Sequence, residues 1–261
     1  MAGGGGDRRS VARKLFAIAD AFEGGRELTL SEVAASAGLP LATAHRLIGE
    51  WVEWGGLVRT EEGRYRLGLA LWRLGVRQPT ATRLRQAADP YLDDLLAVTG
   101  EHVHLAVLEQ LEVVYLEHRQ RPGALPIVSD TGTRLPPHAT AVGQVLLAAQ
   151  PESALQELVA RGPRRFLPNT LTGERELRAR LADVRRLGLA RTDEEMSPSA
   201  LSIAAPVRDA RRAVVAAVGI VVHHGRRGDP ALETLVRMAA RAISSGLART
   251  GPRGGDSEVA S

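Results

Sequence analysis

The chain has 261 residues, 44% hydrophobic and 25% charged, a globular balance with room for two domains. Cysteine is absent, which excludes disulfides, thiol catalysis and cysteine-based metal sites. The net charge of +4 is small, and no run of 18 apolar residues offers a membrane-spanning helix.

Met1–Asp7 is glycine-rich and expected to be disordered; it has no apolar core of a signal peptide, and no strand precedes Gly3–Gly6 to make a phosphate loop. A cytoplasmic protein is the expectation. Ser10 can cap a helix to about Glu23 that buries Val11, Leu15, Ile18, Ala19 and Phe22. Arg8 and Arg9 precede it, available to an anionic partner or to solvent.

Thr29 to Leu67 reads as helix, tight turn, helix and a two-stranded hairpin. Thr29 and Glu32 have capping-box spacing. Gly38-Leu39-Pro40 stops the first helix, and Pro40 suits the start of the next. The second runs from about Leu41 to Trp54, with Ala44, Leu47, Ile48 and Trp51 on its apolar face, and Gly55-Gly56 ends it. Leu57–Thr60 and Arg64–Leu67 then pair around Glu61-Glu62-Gly63. This is the order of a winged helix-turn-helix, in which the second helix enters the major groove. Ala42, Thr43, His45 and Arg46 would face bases; Arg59, Arg64 and Arg66 would meet phosphates or the minor groove. A small helical domain with an ordinary hairpin is the bland alternative. Met1 to Leu84 holds 12 basic and 9 acidic residues, so DNA contact relies on a few local arginines.

Gly68 to about Gln86 reads as a linker helix that Pro79 should bend or split, with Trp72 buried. Asp89 and Pro90 read as the start of a helix to Thr99. Val103, Leu105 and Val107 alternate with His102, His104 and Ala106, and Val113–His118 alternates likewise; both predict strands. His102 and His104 share one strand face, either as exposed or satisfied histidines or as two ligands of a metal, with no third in evidence. Leu125–Val128 reads as a short strand. Leu135-Pro136-Pro137-His138 turns into a helix from Thr140 to about Ala149, whose first amides can attract a carboxylate or phosphate. Small residues there would equally serve tight core packing. Helices follow at Glu152–Arg161 and Gly173–Leu187, strands at Leu189–Thr192, Leu201–Val207 and Val214–Val222, a helix at Asp229 to about Ala248, and a loose tail at Thr250–Ser261. The pattern predicts an α+β domain on a largely antiparallel sheet.

Four segments together resemble the IclR family of bacterial transcriptional regulators: SVARKLFAIADAF (Ser10–Phe22), LPLATAHRLIGEW with the GRYRLG wing, GTRLPPHATAVGQVLLA (Gly132–Ala148) and EEMSPSALSIAAPVRD (Glu194–Asp209). The resemblance implies a winged helix-turn-helix domain over 8–68, a linker helix over 69–86 and a GAF-like effector-binding domain over 87–249. It implies a homodimer or dimer-of-dimers tetramer on a pseudo-palindromic DNA operator, answering to a small organic effector. Its pocket maps onto Ala124, Ile127, Leu135, Ala141, Val142, Thr192, Ala200, Ser202, Gly219 and Val221. Small-acid-binding relatives carry an acidic residue at Thr192, cysteine at Ser202 and serines near Gly219 and Val221. Their Lys-Ser-Thr in the recognition helix is Leu41-Ala42-Thr43 here. A larger, more apolar ligand and a different operator follow. A constitutive DNA-binding protein whose C-terminal domain only oligomerises is the alternative. An enzyme would need a constellation such as Ser202, His138 and Asp193, whose geometry the sequence does not set; no catalytic, metal or cofactor site is expected.

Overall fold

The computed structural model describes residues 9–249. The expectations for Met1–Asp7, Arg8 and Thr250–Ser261 concern residues outside those described. The chain divides into two compact units between Pro79 and Thr80.

The first unit is α1 (Val11–Asp20), α2 (Leu30–Ala37), α3 (Leu41–Trp54), β1 (Leu57–Arg59), β2 (Tyr65–Leu67) and α4 (Leu69–Gly75). Thr29 Oγ1 accepts the Glu32 amide at 3.3 Å, and a Glu32 carboxylate oxygen accepts the Thr29 amide at 2.7 Å, closing the capping box that starts α2. Gly38 ends α2 at φ 60°, the left-handed turn that lets α3 cross it. Ile18, Phe22, Val33, Ala44, Leu47, Ile48 and Leu57 form one buried core. The hairpin is not alone: Leu28 exchanges two backbone hydrogen bonds with Tyr65, adding a third extended segment to the wing.

The second unit is a six-stranded antiparallel sheet between two helical layers, an α+β fold of the expected kind. Its strands are β3 (His102–Glu109), β4 (Glu112–Arg119), β5 (Arg134–Leu135), β6 (Ala190–Asp193), β7 (Ala200–Arg208) and β8 (Val214–His223), in the order β5-β4-β3-β8-β7-β6. One face packs α5 (Pro79–Thr99) and α9 (Ala231–Arg249) through Leu84, Ala88, Leu92, Val103, Leu105, Ile203, Ile220, Val236 and Ile243. The other packs α6 (Ala141–Ala148), α7 (Glu152–Ala160) and α8 (Glu174–Leu187) through Val113, Val142, Leu146, Leu155, Leu177 and Leu181.

The helix expected over Gly68–Gln86 is split as Pro79 allowed: α4 ends at Gly75 and Pro79 opens α5, at a position where its missing N–H costs nothing. Three expectations fail for identifiable reasons. No helix starts at Asp89: α5 runs on through Pro90, because Leu84, Ala88, Leu92 and Leu95 bury one stripe on both sides of it. Leu125–Val128 is not a strand; Pro126 interrupts it, and the Leu125 carbonyl bonds a histidine instead of a neighbouring strand. Trp72 is not buried but 63% exposed.

Candidate functional site

The first unit presents the start of α3 and the wing. Ala42, His45 and Arg46 are exposed and Thr43 is half-buried, while Ala44, Leu47 and Ile48 hold the opposite side in the core. Arg46 is only loosely paired with Glu50, at 3.8 Å on the helix surface. Arg59 and Arg66 are exposed. Arg64 is placed differently: its guanidinium donates to the Glu27 carbonyl at 2.9 Å and to Glu32 at 3.1 Å. It therefore ties the wing to the capping box, and Glu32 is held below the usual carboxylate range first by the Thr29 amide and hydroxyl, then by Arg64. Arg9 donates to the Ala37 and Gly38 carbonyls at 2.9 and 2.6 Å, capping the end of α2. Nothing in the sequence marks either arginine as a brace, since each partner lies about 30 residues away.

The second unit encloses a cavity on the sheet face beneath α6. The register lays down two rows. Thr192, Ser202, Val221 and His102 are paired in turn across β6, β7, β8 and β3. Ala190, Ala204, Gly219, His104 and His118 are paired in turn across β6, β7, β8, β3 and β4. The first row is polar at both ends; the second is small from Ala190 to Gly219 and polar at its histidine end. A Cβ on Gly219 would lie 2.8 Å from the Ile203 carbonyl and 3.0 Å from Val142, so glycine is what lets α6 lie this close. Gly143 is constrained likewise, with the Pro137 backbone 2.5 Å from any added Cβ. About 40 Å3 of open space results, room for a few water molecules.

The start of α6 faces this space. Thr140, extended at φ −124°, caps it; its hydroxyl and carbonyl take the amides of Gly143 and Gln144. The amides of Ala141 and Val142 have no acceptor among the described residues. All eight residues of α6 are buried, so the positive end of the helix dipole acts in a poorly screened interior. Opposite stand His104, its Nε2 3.0 Å from Ser129 Oγ, and Tyr115, whose ring meets His104 edge-on at 5.0 Å. Burial keeps His104 neutral, well below the usual imidazole range, and pushes the Tyr115 phenol up against a smaller pull from Thr140.

Glu195 closes one side, buried with Arg180 at 2.9 Å. The fully buried Gln144 donates to Glu195 at 3.0 Å and to the His138 carbonyl at 2.9 Å, and Thr170 donates to the Glu195 carbonyl. Burial raises the Glu195 carboxyl above its ordinary range, and Arg180 and Gln144 offset part of that.

Of the ten residues expected at the pocket, Ile127, Leu135, Ala141, Val142, Thr192, Ala200, Ser202, Gly219 and Val221 line this cavity. Ala124 does not: the chain turns there, its amide on the Arg121 carbonyl, and reaches the cavity only at Ile127. His104, Tyr115, Ser129, Thr140 and Glu195 line it too and were not foreseen; strand alternation alone pointed to the face of His104. The imagined Ser202, His138 and Asp193 chain does not form: His138 Nε2 donates to the Arg164 carbonyl and Asp193 pairs with Arg227. Asp193, Glu194 and His224 bring three donor atoms within 4.8 Å of one another, but the Glu194 carboxylate already accepts the Ser199 amide and Asp193 has Arg227.

Residues 11–62 match the IclR helix-turn-helix domain, and residues 78–245 match the bacterial transcriptional regulator IclR C-terminal domain. The chain is 38% identical to the glycerol operon regulatory protein of Streptomyces coelicolor, over 86% of this chain and 90% of that one. It is 29% identical to the transcriptional repressor IclR of Escherichia coli, over 82% and 80%. Among solved structures, an IclR homolog from Microbacterium hydrocarbonoxydans complexed with 4-hydroxybenzoate matches with a TM-score of 0.86 and 32% identity, over 92% of this chain and all of that one.

The buried pair gives a direct test of what holds the cavity wall. Glu195→Ala leaves Arg180 and Gln144 facing a void and should cost about 3 kcal/mol, the low end for breaking a buried pair because Arg180 stays part-exposed. Urea unfolding of the variant at an unchanged midpoint would refute this role for Glu195.

Proposed function

The chain belongs to the IclR family of bacterial transcriptional regulators, and we propose that it acts as a dimer on a pseudo-palindromic operator, in answer to a small organic acid held in the α6 cavity. The observation that carries the ligand class is the pair of amides at Ala141 and Val142, which have no acceptor among the described residues and stand at the positive end of α6. Ile127, Leu135 and Val221 offer an apolar body to the ligand, and His104 with Ser129 offers a distant polar end. An acid with a second polar group fits this arrangement; the relative that holds 4-hydroxybenzoate carries a molecule of that form.

On the DNA side, Ala42, Thr43, His45 and Arg46 read the major groove, and Arg59 and Arg66 hold phosphates. Arg64 orients the wing through Glu32 rather than reaching outward. The exposed apolar side of α4, with Leu69, Trp72 and Val76 at its end, is the surface on which two chains pair. The DNA-binding domain spans 8–68 and the effector domain 87–249. The protein works as a regulator in the cytoplasm and not as a catalyst.

Three variants separate the parts of this reading. In a footprint on the DNA upstream of its own gene, Arg46→Ala should lower operator affinity by about 1–3 kcal/mol, and undiminished protection would remove α3 from the interface. Trp72→Asp should sediment as a monomer, whereas an intact dimer places the interface elsewhere. Ala141→Pro deletes one cavity amide at the first helical position, where proline is favoured, after a Thr140 already extended at ψ 143°. In a thermal-shift panel of aromatic and aliphatic acids, the native protein should gain several degrees from at least one. The Ala141→Pro protein should gain none; an equal gain would move the acid group away from α6.

A further inference from the structure

Beside the cavity, three histidine rings stack on β3 and β4, with centroids 4.8 to 6.2 Å apart. Two of them form a chain of hydrogen bonds. Asp130 Oδ1 lies 3.2 Å from His118 Nδ1, His118 Nε2 lies 2.9 Å from His102 Nδ1, and His102 Nε2 lies 2.5 Å from the Leu125 carbonyl. Both ends, a carboxylate and a carbonyl, can only accept. Three hydrogen bonds therefore need three protons, and two neutral imidazoles carry two. The closed chain holds one proton more than its rings do when neutral, with the Asp130 carboxylate as counter-charge.

The chain is tied to the segment that roofs the cavity. Leu125 is held by His102, Ser129 by His104 and Asp130 by His118, and between these ties Ile127 and Val128 line the cavity. We infer that this shared proton pins the 125–130 roof over the effector cavity, so that acid binding and proton uptake favour each other. The inference rests on the effector reading of that cavity. The other ionisable groups at the chain are few. Glu101 accepts the Leu125 amide at 3.3 Å and favours a charged His102, and His118 opposes it; the Tyr115 ring meets His104 edge-on and bonds Thr140. Across the cavity, Glu195 is already paired with Arg180.

When the proton leaves, two N–H groups remain for three contacts, and lone pairs face each other across one of them. Asp130 has a side chain 81% exposed, so water replaces it at least cost and the chain opens there. The pinned roof binds one more proton than the released roof. It is therefore favoured at low pH and lost as pH rises. Burial holds His102 below the usual imidazole range, and its bond to the Leu125 carbonyl offsets part of that. With both nitrogens of both rings engaged, the chain stores a proton and not a metal ion.

Hydrogen–deuterium exchange of the full chain without ligand, from pH 5 to 8.5 and corrected for intrinsic exchange, reads the roof directly. Opening of residues 125–130 should rise up to tenfold per pH unit, the slope of one proton, while α9 stays flat. His118→Gln keeps a donor and an acceptor but does not titrate, and should give a flat profile. Asp130→Asn, at an exposed position, removes the counter-charge and should move the rise to lower pH. A flat native profile, or one that both variants leave unchanged, overturns the inference. Because no acid is present, failure here is distinct from failure of the acid panel, which would instead remove the effector reading.

Discussion

The second unit is organised by one contact, the first turn of α6 laid on the small-residue centre of the sheet. Gly219 lets Val142 approach β8, and Gly143 lets the Pro137 turn fold against the helix. The approach brings the positive end of a wholly buried helix to a cavity wall, with two amides unpaired. Leaving a buried donor without a partner costs roughly 1–3 kcal/mol, and the apolar packing of α6 against α8 and the sheet has to offset it. An acceptor that enters the cavity removes that cost.

The first unit meets an opposite constraint, since its cations serve both fold and partner. Arg9 and Arg64 are committed to backbone carbonyls and a carboxylate, closing α2 at its two ends. Arg46 on α3 and Arg59 and Arg66 on the wing stay exposed, as do Arg13, Arg26, Arg73 and Arg77 elsewhere in the unit. A small net charge is compatible with DNA binding by a helix-turn-helix, which needs cations at its contact positions rather than over the whole chain.

The local elements were legible because their signals are local. Thr29 and Glu32 announce α2, Gly38 and Gly55 end helices by the left-handed turn they permit, and alternation marks β3 and β4. The proline signals misled where burial outweighed them: Pro90 looks like a helix start, yet the stripe from Leu84 to Leu95 carries the helix through it. Trp72 was misread because large aromatics are usually buried, whereas this one lies on the exposed side of a short helix. The cavity was legible through family resemblance along β6 to β8 and at α6. Its histidine side was not, since His118, Ser129 and Asp130 reach His102 and His104 only through a bulged strand pairing and a loop without regular structure. No periodicity encodes such contacts.

The same alternation that hides those contacts supplies a route for their effect. On β3, His104 lines the cavity and His102 shares its face, while Val103 and Leu105 face the opposite core. That core holds Leu84, Ala88, Leu92 and Leu95 of α5, a single helix that begins at the boundary between the two units. A close-packed interior has two-state rearrangements rather than soft deformation, so a shift of β3 at His104 displaces what packs on Val103 and Leu105. A ligand that prefers one position of β3 therefore also selects one position of α5. The strength of regulation is bounded by that preference, commonly about 1–3 kcal/mol or roughly 5- to 150-fold in operator affinity. A ligand that bound both positions equally would change nothing, however tightly it was held.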